Sequence, residues 1–404
     1  MDYKFPDGFL WGSATSAHQV EGGNFNDWTE WEHANSARLA AEAARRHTKA
    51  PTRIPDYILE RYPNPLQPEN YISGQACDHY NRYEQDFDIA KELGQNAHRF
   101  SIEWSRIEPE EGKFNEAEIE HYRKVIRALK ARGLEPFVTL WHWTIPLWFR
   151  DMGGWLNKKS PEYFSRYTEK MVSALPDVNF WITLNETNVY TGHGYIKGLW
   201  PPQRRSLFDY LRVNHHLSRA HKAAWKVIKH INPASQIGVA HNILYFTKFF
   251  SFFKDYIYNR LFLNSIRHCQ DFVGINYYYS DRDTKDKSEF LNWSIDPEGF
   301  SSVLKKAGRY QKPIYVLENG IADIQDEKRT KFIKDHLSFM RKAIEEGADI
   351  RGYFYWSLLD NFEWDKGFWP RFGLVEVDYK TMERKIRPSA YEYAKICKNN
   401  TLNI

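Results

Sequence analysis

Two apolar, strand-like runs each end on a short carboxylate motif, Thr183-Leu184-Asn185-Glu186 and Val316-Leu317-Glu318-Asn319-Gly320. An ionised carboxyl at the end of a buried strand is costly unless it is paired or used. Two such groups suit the cleavage of a glycosidic bond. One carboxyl protonates the leaving oxygen, and the other attacks the anomeric carbon or activates water. A separation of about 5–5.5 Å retains configuration and one of about 6.5–9.5 Å inverts it, and spacing along a chain leaves both open. Asn185, next to Glu186, is suited to hydrogen-bond a sugar 2-hydroxyl, a contact that strengthens in the transition state. The chain also carries 15 Trp, 25 Tyr and 26 Phe. Most would fill a core, and the remainder, Trp especially, suits the stacking of sugar rings.

The elements that must position these groups follow a regular alternation. Strand-like runs lie at 9–13, 98–102, 136–140, 180–184, 237–240, 272–276, 314–317 and 353–356. Several are continuously apolar, as parallel strands covered on both faces are. Between them lie amphipathic segments. Residues 116–131 align Ile119, Tyr122, Val125, Ile126 and Leu129, and residues 330–345 align Phe332, Ile333, Leu337, Met340 and Ile344. Eight strands alternating with helices predict an α/β protein, a single (β/α)8 TIM barrel over residues 1–404, whose chemistry sits at the C-terminal strand ends. A doubly wound sheet alternates too, but no Gly-x-Gly-x-x-Gly follows a strand. The barrel brings Glu186, Glu318, His142, Tyr278 and Glu363 to one rim.

Two stretches exceed a minimal barrel. Residues 34–74 form an extended first βα loop, expected at the active-site face, with a helix capped at Ser36 that stops before Pro51. Residues 245–262 hold nine aromatics. They are expected to form a helix buried against the barrel; the alternative is that part of them lines the mouth of the site and favours an apolar aglycone.

With 56 basic and 52 acidic residues the net charge is +4, too balanced to suggest nucleic acid. Cys77, Cys269 and Cys397 have no CxxC spacing, so neither a disulfide framework nor a metal site is expected. No N-terminal apolar leader and no run of about 18 apolar residues is present. A cytoplasmic protein with no membrane partner is expected.

Longer motifs sharpen this reading. Residues 9–22 (Phe-Leu-Trp-Gly-Ser-Ala-Thr-Ser-Ala-His-Gln-Val-Glu-Gly), 98–107 (His-Arg-Phe-Ser-Ile-Glu-Trp-Ser-Arg-Ile), 352–364 (Gly-Tyr-Phe-Tyr-Trp-Ser-Leu-Leu-Asp-Asn-Phe-Glu-Trp) and 371–379 (Arg-Phe-Gly-Leu-Val-Glu-Val-Asp-Tyr) occur in order. Together with the two carboxylate motifs they resemble glycoside hydrolase family 1, the β-glucosidase family, over nearly the whole chain. The resemblance implies a retaining mechanism without metal or cofactor, with Glu186 as acid/base and Glu318 as nucleophile. It implies that Tyr278, in Gly-Ile-Asn-Tyr-Tyr, hydrogen-bonds the nucleophile and that Arg99 keeps it ionised. Gln19, His142, Asn185, Asn276 and Glu363 match binders of the sugar hydroxyls. Trp356 matches the stacking platform, Trp364 a further sugar contact and Trp293 the aglycone flank.

The chain departs from the family pattern at Thr187, where proline is usual, and at Thr144, where aspartate is usual. It is also shorter after strands five and six. These departures bear on loop geometry and acceptor choice. The activity implied is release of terminal non-reducing β-D-glucosyl residues from small β-glycosides or oligosaccharides, with β-galactosides and β-fucosides as co-substrates. Alternatives are a 6-phospho-β-glycosidase, disfavoured by a carboxylate at Glu363, a non-catalytic sugar-binding module, and net transglycosylation through the same covalent intermediate.

Overall fold

The computed structural model describes residues 2–48, 54–289 and 291–403. Eight parallel strands close into a barrel in sequence order. They are β1 (Leu10–Ala14), β2 (Ala97–Ser101), β3 (Glu135–Trp141), β4 (Phe180–Asn185), β5 (Gln236–Asn242), β6 (Val273–Asn276), β7 (Ile314–Asn319) and β8 (Ile350–Trp356). Each predicted run lies in or overlaps one of them. The predicted helices are present at Glu116–Ala131 and Arg329–Glu345, with their apolar faces turned inward.

The lower barrel is filled rather than hollow. Phe137 packs on Phe180 at 4.1 Å and on Phe354 at 4.7 Å between ring centroids, and Phe272 meets Tyr315 at 5.2 Å. Small residues make room for these rings. A Cβ at Gly238 would lie 2.5 Å from the Phe272 ring, so the position requires glycine. The plug leaves the upper end of the barrel for polar side chains, where barrel chemistry is built.

Two expectations are corrected. The helix in the first βα connection runs over Asp27–His47, so Ser36 lies inside it. Its cap is Asn26, whose side chain accepts from the backbone N–H of Trp28 and Thr29, while Thr29 Oγ1 accepts from Asn26 N at 2.7 Å. This reciprocal capping box outweighs the serine, and burial of Trp28, Trp31, Leu39, Ala40 and Ala43 extends the helix over one face. It ends at His47, ahead of Pro51, which itself lies outside the described residues.

Residues 245–262 do not form one buried helix. Short helical turns at Ser251–Asp255, Tyr256–Arg260 and Leu261–Ile266 follow one another, the middle one a widened π turn. Phe249, Phe250, Phe252 and Phe253 face solvent. Of the nine aromatics, Phe262 is buried in the core and Tyr245 packs against it, because adjacent aromatics point around the whole helix circumference and cannot share one inward face.

Candidate active site

Glu318 lies on β7 and Glu186 directly follows β4; both are buried. The parallel register slips near each. Irregularities fall between Ile182 and Asn185, between Ile275 and Asn276, and between Val316 and Asn319. Bulges of this kind re-aim side chains at strand ends. Glu186 itself has φ 42°, the left-handed region that a non-glycine residue seldom adopts.

The two carboxyls receive different neighbours. Arg99, fully buried on β2, reaches across the barrel. Its Nη1 donates to Glu318 Oε1 at 2.6 Å and its Nη2 to Asn185 Oδ1 at 2.7 Å. Tyr278 donates its hydroxyl to the other oxygen, Glu318 Oε2, at 2.6 Å. Burial and the nearby carboxylates hold that phenol well above its ordinary value, so it remains a donor. Glu186 meets no cation within ion-pair distance among the described residues. It accepts two amide N–H bonds at Oε1, from Asn276 at 2.9 Å and from Asn242 at 3.1 Å. Burial, reinforced by the charge of Glu318, pushes Glu186 up to about 8 against the smaller opposing pull of the two amides.

Half-buried Glu363 joins the two buried carboxyls. Burial and then the charge of Glu318 raise it to about 8 as well. Gln19 Nε2 donates to Phe362 O at 2.7 Å and to Asn361 Oδ1 at 2.9 Å, and lies 3.4 Å from Glu363 Oε2. Arg99 is the cation in direct contact with this set, so it balances one negative charge.

The hydrogen-bond network assigns the remaining atoms. Asn185 Oδ1 accepts from Arg99 and Asn276, which turns its Nδ2 toward His142 Nε2, 3.1 Å away. Burial, with the charge of Arg99 next, holds His142 well below its usual value, so the ring is neutral. Nε2 is therefore the acceptor and Nδ1 carries the hydrogen, a buried donor without a protein acceptor. Trp356 packs at 6.1 Å from His142 between ring centroids and Trp364 at 6.0 Å. Trp293 stacks on Tyr279 at 5.2 Å and lies 5.6 Å from Tyr278. The twelve residues read from the sequence thus fall into one linked cluster.

Two members of that cluster were not foreseen. Asn242 ends β5, two residues beyond the run read as a strand. A strand-end asparagine, like Asn185 and Asn276, was the available signal. Tyr258, from the middle turn of the aromatic segment, donates its hydroxyl to Asn242 Oδ1 at 3.0 Å and so fixes the amide with its N–H toward Glu186. No local pattern marks Tyr258. Of the departures from the family pattern, Thr144 donates to Glu103 at 2.9 Å, and Thr187 Oγ1 is buried without a protein partner.

The family model for glycosyl hydrolase family 1 matches residues 1–252 and 284–402. The chain belongs to glycosyl hydrolase family 1. Over 467 aligned residues it is 34% identical to β-glucosidase A of Thermotoga maritima, covering 99% of each chain. It is 30% identical to a 6-phospho-β-galactosidase of Staphylococcus epidermidis over the full length of both. Among solved structures, the β-glycosidase from Pyrococcus horikoshii superimposes with a TM-score of 0.87 at 37% identity, over 100% of this chain and 97% of that one. Family 1 membership makes the protein a glycoside hydrolase of a retaining family. Asn276, Tyr278 and Tyr258 fall in the interval that the family model skips, so their placement rests on the geometry above.

Proposed function

We propose that the protein is an exo-acting β-glycosidase with preference for β-D-glucosides, in which Glu318 is the nucleophile and Glu186 the acid/base. The observation that carries this reading is the unequal treatment of the two carboxyls. Glu318 is gripped at both oxygens by a guanidinium and a phenol, whereas Glu186 is raised to about 8 and holds a proton at neutral pH. In the first displacement a Glu318 oxygen attacks the anomeric carbon while Glu186 gives its proton to the departing glycosidic oxygen. That leaves a glycosyl ester on Glu318 and an ionised Glu186. Glu186 then takes a proton from water as the hydroxide oxygen attacks the anomeric carbon, and the ester bond to Glu318 breaks. Loss of the Glu318 charge on esterification lets Glu186 ionise more readily, which fits the change of role.

The sugar meets groups of which His142 Nδ1 and Glu363 have hydrogen-bond capacity to spare, while the Gln19 amide N–H bonds are spent on Phe362 O and Asn361 Oδ1. His142 Nδ1–H donates to a hydroxyl, Gln19 and Glu363 engage the far side of the ring, and Trp356 supplies an apolar face. Glu363 also distinguishes substrates. A half-buried carboxyl beside Asp365, Glu318 and Glu186 gives a phosphate dianion no favourable field, although Lys366 offsets it in part. Preference for an unphosphorylated sugar follows.

Initial rates on aryl β-glucoside, β-galactoside, β-fucoside and 6-phospho-β-galactoside test this directly. The glucoside should be turned over fastest. Faster turnover of the phosphorylated sugar would overturn the assignment of Glu363. A 2-deoxy-2-fluoro-β-glucoside with a good leaving group should add one sugar mass to the peptide bearing Glu318. Labelling of another residue would overturn the nucleophile assignment.

A further inference from the structure

The strongest feature outside the carboxyl cluster is the surface built by the chain after β4 and β5. Among the described residues, thirteen of the seventeen large apolar side chains that are exposed lie between residues 196 and 261. Phe249 is 81% exposed, Phe252 77% and Phe208 72%, with Phe250, Phe253 and Leu207 close behind. Isolated exposed leucines need no account, but a concentration of this kind marks an interaction surface. The same chain is strongly basic. Residues 193–262 contain eleven Lys and Arg against two Asp, whereas the remaining chain carries five more acidic than basic residues.

The exposed aromatics and part of the basic set lie toward the rim, whereas Lys229, at the far end of helix Leu207–Ile231, pairs with Asp271 ahead of β6. Helix Leu207–Ile231 and the turns Ser251–Ile266 follow neighbouring strands and both begin at the C-terminal rim of the barrel. They meet where Ser218 and Ser265 hydrogen-bond at 2.9 Å, each more than ten residues into its segment. Nearer the rim, Tyr210 in the first turn of the helix lies close to Tyr258 in the middle turn, so Leu207 and Phe208 approach the segment that carries Phe250 to Phe253. The two acids are spoken for: Asp209 pairs with Arg204 at 2.6 Å and Asp255 with Arg260 at 2.9 Å. Asp281, from the connection after β6, binds the backbone at Thr247. Among the described residues Arg205, Arg212, Lys248 and Lys254 enter no ion pair, and Arg260 lies over the rings of Phe252 and Tyr256.

We propose that this edge docks on an anionic lipid bilayer. Phenylalanine rings flanked by lysine and arginine suit the interface of a bilayer, where rings enter the acyl boundary and cations meet acidic headgroups. Attachment is peripheral, since no helix among the described residues is long and apolar enough to cross a membrane. A second copy of the chain would bring the same positive edge against itself, so charge favours the lipid surface over self-association. The expectation of no membrane partner rested on spans, and peripheral docking is a contact of another kind. The turn that carries the exposed Tyr256 also carries Tyr258, two hydrogen bonds from Glu186, so the docking edge and the carboxyl cluster share one rim.

Co-sedimentation of the full chain with sucrose-loaded vesicles tests the proposal. Binding should be strong with about one-third phosphatidylglycerol in phosphatidylcholine, weak with phosphatidylcholine alone, and reversed by salt. Replacing Phe249, Phe250, Phe252 and Phe253 together by Ser should lower partitioning at least about tenfold, and so should Lys248→Glu with Lys254→Glu. Turnover of a soluble aryl β-glucoside by both variants reports that they are folded, and the charge variant decides alone if the four-fold variant does not fold. The proposal is overturned if the wild-type chain stays in the supernatant with both vesicle types, or if the folded variants sediment as well as wild type. It is also overturned if sedimentation velocity shows a dimer that the Phe variant dissolves while vesicles are not bound.

Discussion

Asn242→Leu isolates the contribution of one amide to the proton on Glu186. Asn242 donates one of the two hydrogen bonds at Glu186 Oε1, and leucine removes the donor with little change of volume. A hydrogen bond to a charged acceptor is worth about 1.5–3 kcal/mol and one to a neutral acceptor about 0.5–1.5 kcal/mol, so the amide favours the ionised form by roughly 1–1.5 kcal/mol. At about 1.4 kcal/mol per unit, its loss raises Glu186 by about one unit. The sign is fixed by the geometry. The wild-type carboxyl is raised to about 8 despite this donor, so removing the donor moves it higher.

The assay is kcat/KM for phenyl β-glucoside, a poor leaving group whose departure needs the proton, followed across the alkaline limb. Activity falls as pH rises through the Glu186 value, so the limb should move up by about one unit in the variant. Near pH 9 the protonated fraction then grows about fivefold, and the variant gains on wild type there while losing little near pH 6. Tyr258→Phe should shift the limb in the same direction by less, because the amide remains but is no longer anchored. A limb that stays put or moves toward acid, or a uniform loss at every pH, would refute the reasoning.

Further outcomes follow from the same contacts. Glu186→Ala should cost phenyl β-glucoside turnover far more than turnover of a dinitrophenyl β-glucoside, whose leaving group needs no proton, so that the ratio of the two initial rates changes by about 10²-fold or more. Because Glu363 is raised to about 8 and is mostly protonated near neutral pH, Glu363→Gln should lower kcat/KM for β-glucoside and β-galactoside there by about 2–10-fold, the worth of a neutral hydrogen bond to a sugar hydroxyl. Gly238→Ala forces a methyl to 2.5 Å from Phe272 in the barrel plug and should cost about 1–3 kcal/mol, read as a lower midpoint in urea unfolding.

Much of the architecture was legible because it depends on local pattern. Continuous apolar runs between amphipathic segments set the strand and helix order, and residues 116–131 match the observed helix to the residue. The start of the first long helix was misplaced because Ser36 is as good a cap by type as Asn26. Only the reciprocal bonds of Asn26 and Thr29 and the buried faces of Trp28 and Trp31 distinguish them. The segment 245–262 was misread for a related reason. Composition counts aromatics but does not say which of them an inner surface exists to receive.

The sequence by itself determined which side chains could react, where each sits at a strand end, and which family the motifs resemble. Tertiary structure decided how they differ. Glu186 and Glu318 look alike in the chain, yet only Glu318 meets Arg99 from β2 and Tyr278 after β6, and only Glu186 meets Asn242, which Tyr258 anchors. The affinity of a carboxyl for its proton depends on burial and on charges within a few ångströms, and those neighbours come from segments far apart in the chain. Strand ends can therefore be read from periodicity, but the placing of the proton requires the closed barrel.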